Sequence, residues 1–405
     1  MSSSISRSRS SAKSNGRPQR ACKTDTLVCP RVWLLIRLGM LAGIALSFKL
    51  WFPFDRLYPA APFATWLGVG PAWIDALLTI AMIAALLAGW WKTALGVLAM
   101  LVLRDQSRLQ PWAWEYALLT VALMLPSAGL KTCRALVIAL YIWSGIQKLN
   151  MTFATRTWLE VSGGHLPDFA WIAIPLGEIA IGIALMFERT RRAAVIAAVA
   201  LHGSIIVMLI ASHENSVVWP WNIVMALLVL VMFTGRQQTA DSRQQTAARL
   251  SAVRSPLSSV HWALVAVAAA LPALSFVGLW DPYLSGALYS GNTEQAVVIV
   301  APDVVAHLPQ VIARNTWQDS PPRFIDLNRW SYDELNVPAY PAERVFKEIA
   351  TDVCRQYVDS GALRILGRPD AINGRRTSVT IPCEALAGRG ATVARSASVG
   401  HFRKL

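Results

Sequence analysis

The sequence predicts an all-α helical bundle that crosses a membrane about nine times and ends in a small extracytoplasmic α+β domain. The 405-residue chain is 54% hydrophobic but only 15% charged, whereas soluble domains carry about 25% charged residues. Its apolar residues gather in unbroken blocks of about 17 to 20, the length at which a helix spans a bilayer. After residue 279 these blocks stop. Because lipid offers backbone groups no water, the blocks predict transmembrane helices.

Residues 1–31 precede the first block and predict a disordered, basic cytoplasmic tail. They are rich in Ser, Lys and Arg and contain one acidic residue, although an organelle transit peptide has the same composition. The formal charge of the chain is +14. Its basic residues lie in this tail and in short loops, which is where topology signals lie, so no nucleic-acid partner is expected.

The transmembrane domain is predicted over 32–279. The third and fourth helices are short, and the stretch RDQSRLQPW (104–112) between them either continues the helices or forms a re-entrant turn buried in protein. The nine helices are expected at 32–52, 71–91, 93–109, 112–126, 134–150, 170–187, 192–211, 217–234 and 261–279.

The distribution of Lys and Arg predicts the orientation of the bundle. With the basic tail in the cytoplasm, nine crossings place the basic hairpin at 188–192 and the loop at 235–260 on the cytoplasmic side. The domain at 280–405 then lies outside. In that domain AERVFKEIATDVCRQYVDSG has apolar residues at helical spacing, and short β-like runs lie at 296–300, 363–366 and 378–381.

The cysteines agree with this orientation. Cys354 and Cys383 are the two cysteines of the outer domain, and an oxidising compartment with an even count favours a disulfide between them. The alternative is two buried free thiols. Cys22, Cys29 and Cys133 fall on the predicted cytoplasmic side, where thiols stay reduced.

Ionisable residues inside the predicted helices are the candidate functional residues, since burying charge in lipid is costly. Lys148 closes the fifth helix, and Ser144 and Tyr141 lie one and two turns before it. The lysine either snorkels to the headgroups or works in the protein. Glu178 lies in the same outer half and can pair with it. That pairing decides whether Lys148 acts as a base or as a strut.

His202 lies near the middle of the seventh helix, where it is either a packing residue or a proton partner. No HxxxH or HExxH motif accompanies it, so no metal site is predicted. Three glycines beside these residues favour close helix packing, namely Gly145, Gly177 and Gly182.

Three stretches resemble the HTTM family, the membrane domain of vitamin K-dependent gamma-carboxylases and their bacterial relatives. They are LRDQSRLQPWAWEYALLTVALM (103–124), YIWSGIQKLN (141–150) and GEIAIGIALMFERTRRAAVIAAVALHGSIIVML (177–209), within a core of about 32–235. The resemblance implies a bacterial inner-membrane protein that acts on a quinone, a hydroquinone or another lipid-soluble molecule. It implies Lys148 as base with His202 and Glu178 as catalytic partners, and Asp105, Gln106, Tyr141 and Ser144 at the substrate.

The stretch from Gly177 also resembles DoxX/MauE-type membrane proteins, small helical bundles linked to quinone or thiol redox work, over helices five to eight. No cofactor is evident beyond the implied quinone. The expected partners are the bilayer, a lipid-soluble small molecule and a periplasmic protein. The alternative function is a non-enzymatic membrane scaffold whose periplasmic domain binds that protein. A transporter ranks last, because neither paired broken helices nor repeat symmetry is present.

Overall fold

The computed structural model describes residues 28–63, 69–125, 129–164, 166–211, 215–234, 256–317, 322–358, 361–386 and 394–399. All nine predicted apolar blocks are helical, with ends displaced by a few residues. The helices of this part are α1 (Val28–Leu46), α2 (Phe48–Trp51), α3 (Ala72–Ala88), α4 (Trp91–Arg104), α5 (Pro111–Leu123), α6 (Gly129–Gln147), α7 (Trp158–Ser162), α8 (Ala173–Met186), α9 (Arg191–Ala211), α10 (Val218–Thr234) and α11 (Pro256–Leu274).

Five helical segments of the described chain are long and apolar enough to cross a membrane: Val28–Leu46, Gly129–Gln147, Asp168–Met186, Arg191–Ala211 and Ser259–Val277. α3 and α10 are shorter apolar helices of 17 residues, and α4 and α5 have 14 and 13. The chain is therefore a multi-pass membrane protein, while the count of nine crossings stays a prediction.

The link between α4 and α5 is a buried polar turn, so the helices do not continue through it. Asp105 caps a short 3-10 helix (Gln106–Arg108) by accepting a hydrogen bond of 3.0 Å from Ser107 N. Arg108 is fully buried and donates to the carbonyl oxygens of Leu50 and Leu101, each at 3.0 Å. The buried arginine thus ties this turn to α2 and α4.

Close packing of α6 against α8 depends on two of the three predicted glycines. A Cβ on Gly145 would lie 2.5 Å from Pro175 O, and one on Gly182 would lie 2.7 Å from Ile142 Cγ1. The prediction of close packing is not met at Gly177. If a Cβ atom is added there, no described atom of a neighbouring element lies within 4 Å of it. It lies on a face of α8 that α6 does not cover.

The C-terminal part forms a six-stranded antiparallel sheet in the order β2-β3-β1-β4-β5-β6. The predicted helix AERVFKEIATDVCRQ is present, and it buries Val345, Phe346, Ile349 and Val353. The predicted runs belong to β1, β4 and β5. The strands are β1 (Gln295–Val300), β2 (Thr316–Trp317), β3 (Arg323–Asp326), β4 (Gly361–Pro369), β5 (Arg376–Pro382) and β6 (Ala394–Val399), and the helices are α12 (Pro302–Val305), α13 (Gln310–Ala313), α14 (Leu327–Leu335), α15 (Glu343–Gln356) and α16 (Cys383–Leu386).

The structure joins Cys354 to Cys383 by a disulfide that links α15 to α16. Cys133 is a buried free thiol. Cys29 is disulfide-bonded, which contradicts the expectation that it stays reduced. Cys22 lies outside the described residues.

The sheet domain is attached to the membrane helices by hydrogen bonds to both backbone and side-chain groups. Glu334 in α14 accepts hydrogen bonds from Leu57 N at 2.5 Å and Tyr58 N at 2.9 Å. Asn292, just before β1, donates to Gln147 Oε1 at the end of α6, at 2.7 Å. The start of β1 therefore lies against the end of a membrane helix.

Candidate functional site

Lys148 forms a buried ion pair with Glu178 directly after α6. Its Nζ lies 2.9 Å from Glu178 Oε2 and 3.1 Å from Oε1, and it also donates to Ser144 Oγ at 2.6 Å and Ser144 O at 3.1 Å. Lys148 and Glu178 are 7% and 5% exposed, so the lysine does not snorkel to the headgroups. An ammonium group has three protons, and these acceptors engage all of them.

A second buried polar chain runs from α6 to α9 and α10. Tyr141 OH lies 2.7 Å from His202 Nε2, and His202 Nδ1 lies 2.8 Å from Asn222 Oδ1. Asn222 in turn donates to Val218 O at 2.8 Å. Since an amide oxygen can only accept, His202 Nδ1 carries the proton and Nε2 accepts from the tyrosine hydroxyl. The Asn222 contact thus sets the tautomer of His202.

Both polar groups line one cavity of about 170 Å³. Tyr141 lies on α6 and Lys148 directly after its end, two helical turns further on, so they lie roughly 10 Å apart along the helix axis at ~1.5 Å per residue. The other walls are mainly apolar and aromatic. They include Trp114, Leu118, Leu136, Leu140, Phe153, Trp158, Ile205, Met208, Leu209, Trp221, Met225, Leu284 and Tyr289.

Glu115 in α5 is a cavity residue that the sequence analysis missed. It is 7% exposed, and its Oε2 accepts a hydrogen bond of 2.7 Å from Trp221 Nε1. No described residue donates to its Oε1. The motif WAWEYALL offered the same indication as Glu178 did, an acidic residue inside an apolar helix.

Asp105 and Gln106 do not line this cavity. Asp105 pairs with Arg56 at 2.5 Å and accepts from Ala61 N at 3.2 Å, while Gln106 Oε1 accepts from Arg344 of α15. Asp105 therefore holds the segment after α2, and Gln106 lies in the contact between the membrane helices and the sheet domain. The structure brings together Lys148, Glu178, His202, Tyr141 and Ser144, and it separates these two from them.

The cavity has room and polar groups for a small ring-containing molecule. An apolar cavity of ~150 Å³ holds a benzene molecule, so this one accommodates one substituted six-membered ring. Ser144 can donate its hydroxyl proton, and Tyr141, Glu115 and Glu178 supply acceptor oxygens. Among the described residues, no group of three or more His, Cys, Asp or Glu side chains could hold a metal ion.

The comparison with known families points to the same helices. Residues 126–218 match the family described as methylamine utilisation protein MauE. This span contains Tyr141, Ser144, Lys148, Glu178 and His202, but it covers less than half of the chain. The match supports the DoxX/MauE resemblance, while the HTTM resemblance stays a prediction. No curated protein and no solved structure matches the chain.

Proposed function

We propose that this MauE-like membrane protein binds a lipid-soluble quinone or hydroquinone headgroup in the cavity between α5, α6, α8, α9 and α10. The observation that carries the proposal is an apolar cavity of about 170 Å³ with separate polar groups on its wall. A headgroup with oxygen atoms on an apolar ring and an apolar tail has the matching distribution of polarity. Such pockets hold ligands with a few placed polar groups on apolar walls.

The Tyr141–His202–Asn222 chain is the best supported polar contact for such a ligand. The tyrosine hydroxyl now donates to His202 Nε2, and its oxygen can still accept a hydrogen bond from a ligand hydroxyl. Glu115 lines the same cavity, and no described residue donates to its Oε1. A buried acceptor without a partner costs about 1–3 kcal/mol, so a ligand that donates to it gains affinity.

The contacts of Lys148 favour a binding or structural role over a role as general base. A base needs a neutral amine with a free lone pair, whereas this Nζ donates to Glu178 and Ser144. Proton abstraction by Lys148 would first require the ion pair to break. The carboxylase-like reaction implied by the HTTM resemblance therefore has less support than binding of the same class of molecule.

The test is titration of the purified full-length protein in detergent with ubiquinone-1, monitored by quenching of tryptophan fluorescence. Trp114, Trp158 and Trp221 line the cavity and report on occupancy. We expect saturable quenching that Tyr141→Phe and His202→Leu both weaken by about 2–10-fold, the value of one hydrogen bond at ~0.5–1.5 kcal/mol.

Gly177→Ala is the matched control, since Gly177 lies in the same bundle on an open face. It is expected to bind ubiquinone-1 as the unsubstituted protein does. Quenching that does not saturate, or that Tyr141→Phe and His202→Leu leave unchanged, would exclude this cavity as the binding site.

A further inference from the structure

The tip of the β4–β5 hairpin, residues 370–375, carries a highly exposed apolar side chain. Ile372 is 85% exposed, more than any other large hydrophobic residue of the described chain. Burial of such a side chain is worth about 1.5–3 kcal/mol. Single exposed apolar residues are common on protein surfaces, so the position of Ile372 decides whether it has a function.

The hairpin tip rests on the chain just after a membrane-spanning helix. Met151 N donates a hydrogen bond of 3.0 Å to Ala371 O. A Cβ on Gly374 would lie 3.6 Å from Thr152 Oγ1 and 3.7 Å from Met151 Cβ, at ordinary contact distance. The candidate span Gly129–Gln147 ends only four residues before Met151.

The connection beneath the tip lies at one face of the bilayer. It joins two consecutive candidate spans, Gly129–Gln147 and Asp168–Met186, so both of its ends lie at the same membrane surface. It presents apolar side chains of its own. Leu159 and Leu166 are each 42% exposed, and Phe169 at the start of the next span is 78% exposed.

We propose that the β4–β5 hairpin tip inserts Ile372 into the boundary between headgroups and acyl chains of the surrounding bilayer. The bilayer is the occupant because it is already present at the level of Met151, to which the tip is hydrogen-bonded. Arg375 is exposed three residues further on, where its cation can contact lipid phosphates. The sheet domain then contacts the lipid directly, in addition to its hydrogen bonds with the membrane helices.

The test uses the full chain in phosphatidylcholine–phosphatidylglycerol vesicles with an NBD fluorophore on Ile372→Cys. We expect blue-shifted emission and quenching when lipids labelled with nitroxide near the headgroup are included. Unsubstituted protein treated with the same maleimide gives the background from native thiols, of which Cys133 is buried.

Ala306→Cys is the matched control. Ala306 is exposed and follows β1. β1 begins near Gln147 and runs away from it to Val300. Val300 pairs with Gly361, the first residue of β4, whereas the hairpin tip follows the last residue of β4. The fluorophore at 306 is therefore expected to lack nitroxide-lipid quenching and to be quenched by iodide in solution.

A further pair of variants tests whether the isoleucine side chain itself causes the insertion. With the fluorophore on Asn373→Cys, the change Ile372→Asp should reduce quenching by the nitroxide lipids, because a carboxylate is costly below the headgroups. Equal quenching at 372 and 306 would overturn the proposal. So would protection of position 372 from iodide without lipid quenching, since that result means a protein surface covers the tip.

Discussion

At the scale of single residues, the Lys148–Glu178 pair is the most strongly coupled feature of the site. Removal of one partner of a buried ion pair costs about 3–5 kcal/mol, whereas replacement of both by apolar groups is often neutral or stabilising by ~1–4 kcal/mol. We therefore expect Lys148→Met and Glu178→Leu each to lower the thermal unfolding temperature in detergent strongly. The double variant should recover most of the loss.

Binding of ubiquinone-1, followed in the same samples, separates structure from function. A double variant that is stable but does not bind would give the pair a role at the ligand. Additive losses of stability in the double variant would instead show that the two side chains do not interact in solution.

In the proposed binding site, Glu115 is the residue that we expect to distinguish a reduced from an oxidised ligand. A carboxylate oxygen accepts from a hydroxyl, whereas an amide at that position can also donate to a carbonyl oxygen. Glu115→Gln keeps an oxygen for Trp221 Nε1. We expect it to weaken ubiquinol-1 binding by about 2–10-fold, one hydrogen bond, and to leave ubiquinone-1 binding equal or tighter.

The control for Glu115→Gln is Glu384→Gln, the same change at an exposed position of the sheet domain. It should alter neither affinity. If Glu115→Gln weakens both ligand forms equally, the carboxyl group shapes the cavity without reading the redox form of the ligand.

Among these charged residues, the partner of Lys148 could be inferred from the sequence, whereas the partner of Asp105 could not. The costs of burying Lys148 and Glu178 in lipid are visible in the residue types alone, and the structure pairs them. The HTTM resemblance also implied a functional role for Asp105. In the structure its carboxyl group instead pairs with Arg56, which lies 49 residues earlier in the sequence. Such a partner depends on how the segment after α2 folds back, which no local pattern encodes.

At the scale of helices, the approach of α6 to α8 holds the walls of the cavity in place. A Gly→Ala change in an open helix position stabilises by about 0.5–1 kcal/mol, but forcing a methyl group into a filled interface costs ~1–3 kcal/mol. We expect Gly145→Ala to lower the thermal unfolding temperature, because its Cβ would meet the backbone oxygen of Pro175. Gly177→Ala should leave the temperature unchanged or raise it.

The two glycine variants differ only in what surrounds the added methyl group, so thermal unfolding of both in one detergent is sufficient. Equal shifts for the two would mean that α6 and α8 are not in close contact at Gly145. The sequence predicted close packing at all three glycines, because a small residue permits helices to approach each other. The residue type does not indicate which face of the helix is in contact with a neighbour.

Most of the helices and half of the strands could be predicted from the sequence. The nine apolar blocks are all helical, which is the structure that long apolar segments adopt in a bilayer. In the sheet domain β1, β4 and β5 were recognisable by their apolar runs. β2 has two residues and β3 has four, and β6 (ARSASV) has little apolar character, so these strands depend on their neighbours in the sheet rather than on their own sequence.

At the scale of the whole molecule, the membrane helices and the sheet domain share one polar junction. Glu334 binds the backbone after α2, Asn292 binds Gln147 at the end of α6, and Leu284 and Tyr289 of the linking segment line the cavity itself. The predicted boundary at residue 280 separates the part of the chain with long apolar blocks from the more polar C-terminal part. The segment that follows it nevertheless helps to close the candidate site, which the change in composition did not indicate.

Asp281 lies in this linking segment, and we expect its carboxyl group to make the stability of the junction depend on pH. Its Oδ2 accepts from Tyr340 OH at 2.6 Å, and its Oδ1 accepts from Tyr283 N at 2.8 Å and Leu284 N at 3.2 Å. Burial raises the pKa of the Asp281 carboxyl above its usual value, despite these hydrogen bonds and the nearby Arg368 guanidinium. The folded state therefore favours the protonated carboxyl.

The sign of the effect on stability follows from the raised pKa of Asp281. The contribution of the protonated carboxyl is fully present below the unfolded-state pKa of ~3.9 and is lost as pH rises through the higher folded-state value. Asp281→Asn keeps a neutral group of the same shape at every pH. We expect the unfolding temperature of the unsubstituted protein to fall relative to Asp281→Asn as pH increases from about 4.5 to 8, a window above that unfolded-state value. A constant difference across that range would show that the carboxyl titrates as it does in water and that the junction does not bury it.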